Sequence, residues 1–73
     1  MQKSEKIREV LFLVEETDEG YVAQALGHSI YTQADSLDEL KEMVKDAVEC
    51  HFDEEERPRI IRLHIVKQEV LTL

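Results

Sequence analysis

The adjacent pair Cys50 and His51, together with His28 and His64, are the side chains best suited to chemistry. Thiol and imidazole are the usual ligands of a transition metal, and a cysteine beside a histidine is the raw material of an activated nucleophile. The spacing supports neither use. A structural zinc site takes four ligands at short regular intervals, whereas Cys50 is the only thiol in the chain. On a helix, successive side chains diverge by about 100°, so Cys50 and His51 would not face one another. Ser29, Thr32 and Ser36 have no recognisable base or glycine elbow around them that would activate a hydroxyl. No catalytic residue, metal or cofactor is expected, and the chain is read as a non-enzyme.

The second candidate is the run Asp53, Glu54, Glu55 and Glu56. It lacks the alternating oxygen ligands and the turn glycine of a calcium loop. Such a run is ordinarily solvated; its functional use would be to draw in a basic protein by long-range attraction. These four are the candidate partner-binding residues. Directly after them come Arg57, Arg59, Arg62 and Lys67, a basic stretch without the interleaved aromatic residues of a nucleic-acid stripe. Their expected role is structural, to neutralise an acid-rich helix nearby and to discourage unwanted edge pairing.

The whole-chain balance points the same way. Seventeen Asp and Glu against nine Lys and Arg leave a net charge of −8. That is too acidic for a surface devoted to phosphates, so direct nucleic-acid binding is not expected. The acid is uneven: residues 35–56 by themselves sum to −8, while residues 57–67 are positive. With 73 residues, 42% of them hydrophobic and only two Gly and one Pro, the chain is long enough for one domain, residues 1–73, and no more. A core that small is marginal, and a homodimer would relieve it. One cysteine excludes an intrachain disulfide, and no apolar run approaches the roughly 20 residues that span a bilayer. Residues 1–6 lack the apolar segment of a signal peptide, so a cytoplasmic location is expected.

The elements that must position these groups follow from periodicity. Leu37, Leu40, Val44, Ala47, Val48 and His51 recur at intervals of three and four and predict an amphipathic helix. Ser36 as N-cap with Glu39 three residues on predicts a capping box, and the helix should end near Phe52 or Asp53, before Pro58. Upstream, Val10, Phe12 and Val14 alternate with Leu11 and Leu13. This strand is apolar on both faces, as for one covered by a helix on one side and by something else, such as another subunit, on the other. Thr17 to Gly20 signals a hairpin turn, Tyr21 to Leu26 a return strand, Gly27 to Ser29 a second turn and Ile30 to Gln33 a short third strand. Ile60 to Leu71 reads as a long final strand, with Ile61, Leu63 and Ile65 on one face and Arg62, His64 and Gln68 on the other. The fold class is therefore α+β in the order β-β-β-α-β: an antiparallel three-strand meander, one helix, and a final strand that a right-handed crossover lays parallel to the first.

Asp18-Glu19-Gly20-Tyr21-Val22-Ala23, Leu26-Gly27, Thr32 and Asp35-Ser36-Leu37-Asp38-Glu39-Leu40 stand in an order and spacing that resembles the N-terminal module of the HicB-like antitoxin family. That pattern runs D-x-G-G-Y-x-A, L-P-G, then T-x-G-(D/E)-(T/S)-x-E-E-A before an amphipathic helix, and the likeness covers about residues 7–52. Glu19 replaces the first glycine of the pair, Ala25 stands near the usual proline, Ala34 takes the place of a glycine and Leu40 that of an alanine. The resemblance implies a partial ribonuclease H-like fold without nuclease activity. It also implies a basic partner, the mRNA-cleaving HicA toxin, whose RNA face the antitoxin blocks. Family members continue into a DNA-binding tail, which is not expected after Leu73. The alternative reading is an orphan dimeric module, structural or small-ligand-binding, with no toxin partner.

Overall fold

The computed structural model describes residues 8–67 and 69–73. Its elements are β1 (Glu9–Thr17), β2 (Gly20–Ala25), β3 (Tyr31–Ala34), α1 (Leu37–His51) and β4 (Ile60–Val66), the order expected from the sequence. The four strands form one mixed sheet, β3-β2-β1-β4, in which β1 pairs antiparallel with β2 and parallel with β4. β1 is thus central, which explains its long uninterrupted apolar run.

Register sorts the side chains. Val10, Phe12 and Val14 of β1 lie level with Ile61, Leu63 and Ile65 of β4, and Phe12 and Val14 with Ala25 and Ala23 of β2. All of these share the face on which α1 packs. Phe12, Val14, Ala23 and Leu40 are completely buried, and Val10, Ala25, Ile30, Val44 and Val48 complete the core. The alanines of β2 matter, because short side chains let α1 settle closely over β2 and β3, the strands its backbone approaches most. Of the expected helix stripe, Leu40, Val44 and Val48 are buried, Leu37 and Ala47 half-buried, and His51 exposed. His51 sits in the last turn, where the helix has passed beyond the core.

The opposite face has no covering element among the described residues. Leu11, Leu13, Val22, Ile60 and Val66 are half-buried there by their strand neighbours alone. On the same face Arg62 of β4 hydrogen-bonds and ion-pairs with Glu9 of β1.

Local devices act largely as the residue types dictate. The Ser36 hydroxyl accepts the Glu39 N–H at 3.1 Å, satisfying one free donor of the helix start. The Glu39 carboxylate reaches back one residue further than a capping box would have it, accepting from the Asp35 N–H at 3.4 Å rather than from Ser36. Gly20 has φ +132°, and a Cβ there would collide with the Ala34 carbonyl oxygen, so both backbone and neighbour demand glycine.

Three strands differ from expectation in their bounds. β2 and β3 each shift by one residue, and β4 stops at Val66 instead of running to Leu71. The last β1–β4 pair is Glu15 with Val66, although β1 runs two residues further, to Thr17, paired there with β2 alone. Gln68, expected on the polar side of this strand, lies outside the described residues, as do residues 1–6.

Candidate functional site

Asp53, Glu54, Glu55 and Glu56 form one exposed turn behind the C-terminus of α1, closed by a 3.0 Å hydrogen bond from the Glu56 N–H to the Asp53 carbonyl. Carboxylates at this end of a helix oppose its dipole. Arg57 compensates, its guanidinium donating to the Glu49 carbonyl in the last helical turn at 3.3 Å. The expectation that the whole basic stretch neutralises the helix is corrected in part. Arg57 does reach it, but Arg62 is held by Glu9 on the far side of the sheet, and that carboxylate raises the guanidinium pKa above its ordinary value. The reason is parity: Arg62 lies one residue out of phase with the helix-facing Ile61 and Leu63.

A second acidic surface lies at the other end of α1. There the β1–β2 turn meets the helix start around a cleft of about 740 Å³, lined by Asp18, Glu19, Asp35 and Glu39 with Tyr21 and Met43 among its walls. The turn is tied down by Thr17, whose hydroxyl donates to the Gly20 carbonyl at 3.2 Å and accepts the Glu19 N–H at 3.1 Å. Unlike the run at Asp53, this group is not visible as a run in the sequence. Its four carboxylates come from two segments, each recognisable as a turn or a cap but not as neighbours.

The thiol and imidazoles come together only in part. His28 and His51 stand edge to face with ring centroids 5.7 Å apart, and each lies 4.9 Å from the Phe52 ring. This aromatic cluster packs the second turn against the end of α1. Cys50 is exposed, and His64 belongs to β4 on the uncovered face. Among the described residues no three His, Cys, Asp or Glu side chains are grouped so as to hold a metal ion. No helix among them is long and apolar enough to cross a membrane.

A small α+β domain, one helix over a four-stranded mixed sheet with acidic surfaces at both helix ends, is the class that fold and site define. The chain is 74% identical over 58 residues to a UPF0150 protein of Archaeoglobus fulgidus, covering 80% of this chain and 88% of that one. It is 46% identical over 61 residues to a UPF0150 protein of Thermotoga maritima, covering 82% and 86%. The chain belongs to the UPF0150 family. No family profile matches it, and no solved structure does.

Proposed function

We propose that this chain is a non-enzymatic, HicB-like protein-interaction domain that works as a cytoplasmic homodimer and neutralises a basic, mRNA-cleaving toxin of the HicA type. The observation that carries the reading is the distribution of charge on the fold. A net charge of −8 is displayed as two exposed acidic surfaces, the Asp53–Glu56 turn and the cleft at Asp18, Glu19, Asp35 and Glu39, at opposite ends of one helix. A toxin that grips RNA must present cations to phosphates, and carboxylates grouped at the two ends of a rigid helix can occupy those cations in the RNA's place. The sequence resemblance through Gly20-Tyr21-Val22-Ala23 and Asp35-Ser36 supports the same assignment.

The test is binding to a small basic protein encoded beside this one. The complex should form at about 0.1 M salt and weaken steeply towards 1 M, as the Debye length falls from about 10 to about 3 Å. Absence of a complex, or affinity indifferent to salt, overturns the proposal. Glu54→Lys with Glu55→Lys should weaken binding about tenfold or more with the fold unchanged. If affinity holds, Asp18→Lys with Glu19→Lys transfers the same question to the cleft.

A further inference from the structure

β4 is an outermost strand, and its outer edge has no hydrogen-bonded neighbour among the described residues. Such edges are templates for another strand unless charge, proline or a bulge blunts them. The segment after β4 supplies the strand. Beyond β4 and two intervening residues comes Glu69–Leu73, with Val70 and Leu71 86% and 87% exposed and Leu73 fully so. Exposure of three large apolar residues within four positions is not how a small domain ordinarily treats them. Nor is this segment suited to fold back on its own strand, because Val66 to Leu73 contains no Gly, Pro, Asn or Asp to make a tight turn.

A receiving surface exists on the same side. Because α1 sits over β2 and β3, a groove of about 400 Å³ opens between α1 and β4, lined by Val44, Ile61 and Leu63 and flanked by the charged Asp38, Lys41, Glu42 and Lys45 of α1, and Ile65 beyond it is 49% exposed. Residues 71 and 73 have the parity of 61, 63 and 65, so a straight continuation of β4 carries Leu71 and Leu73 on the helix side of the sheet.

We infer that the β4 edge and the Glu69–Leu73 segment form a two-fold interface between two copies of this chain, in which each copy's segment pairs antiparallel with the other's β4. This rests on the homodimer reading above and assigns its surface. One register sets apolar residues beside apolar ones and opposite charges together, with Thr72 beside His64. Leu71 lies beside Ile65 of the second copy, Leu73 beside its Leu63, Val70 beside its Val66, and Glu69 beside its Lys67. The two-fold repeats each pair, so the two sheets join into one of eight strands and the β4 side of each groove, at Ile61 and Leu63, is covered by the other copy. This also accounts for a β-like sequence pattern that runs past Val66: the missing pairing partner is the second chain.

The experiment is sedimentation equilibrium on the full chain. Wild type should be dimeric, and Leu71→Asp should raise the dissociation constant about a hundredfold or more, since one substitution removes a buried leucine from both halves. Circular dichroism should keep the signal of the helix and the four strands and lose only the strand content of the paired segments, which lie outside the monomer's core. Lys67→Glu and Glu69→Lys should each weaken the dimer and restore it when combined. In a Cys50→Ser background, Ile65→Cys with Leu71→Cys should give an oxidised covalent dimer, because facing Cα atoms about 4.5–5.5 Å apart suit a disulfide. A monomeric wild type overturns both this inference and the homodimer reading. A dimer that survives Leu71→Asp and yields no cross-link overturns this interface alone and leaves the dimer to another surface.

Discussion

The two sides of the sheet's helix-bearing face are finished to different degrees. Towards β2 and β3, alanines admit the helix, and Phe12, Val14, Ala23 and Leu40 are sealed from water. Towards β4, Ile61 and Leu63 are half-covered, Ile65 is half-exposed and the segment after it is bare. One fifteen-residue helix cannot cover four strands, and its position over β2 and β3 leaves β4 to be covered from outside. In a domain this small, stability and association therefore divide between two regions of the same sheet.

Substitutions can break or sharpen that division. Phe12→Ala should cost about 3–5 kcal/mol, read by chemical denaturation, because it empties the centre of the sealed side. Gly20→Ala should cost about 1–3 kcal/mol from backbone strain, with a further penalty from the collision at Ala34, and Gly27→Ala less. Gly27 also has a positive φ, but a Cβ there meets open space. The smallest effect belongs to the β4 side: Ile65→Ala, measured in the monomeric Leu71→Asp background, should cost no more than about 1 kcal/mol, since half of that side chain is already in water. A loss at Ile65 equal to that at Phe12 would show that the β4 side is part of the monomer's core and erase the distinction.

Much of the architecture was legible from periodicity. Helix spacing from Leu37 to Val48, the glycine turn at Gly20 and the alternation in Val10, Phe12 and Val14 are local signals, and each corresponds to an element in the fold. The parallel pairing of β4 with β1 followed from the handedness of the crossover. Three details were beyond local reading. The strand beginning at Ile60 stops at Val66, where its pairing with β1 ends although β1 itself continues to Thr17, and where two strands part is not written in either one alone. His51 belongs to the helical stripe by spacing yet lies past the core, beside His28 and Phe52. The Glu39 carboxylate reaches the Asp35 N–H rather than that of Ser36, a matter of side-chain geometry at the helix entry.

The candidate surfaces divide in the same way. The acid at Asp53–Glu56 is contiguous, so its position in an exposed turn was determined by the sequence itself, through its charge and its place before Pro58. The cleft at Asp18, Glu19, Asp35 and Glu39, the pairing of Arg62 with Glu9, and the groove beside Ile61 and Leu63 were decided only by tertiary structure. Each joins residues from different elements, and their meeting is set by sheet order and by where the helix settles, which depend on packing across the whole core rather than on any local run of residues.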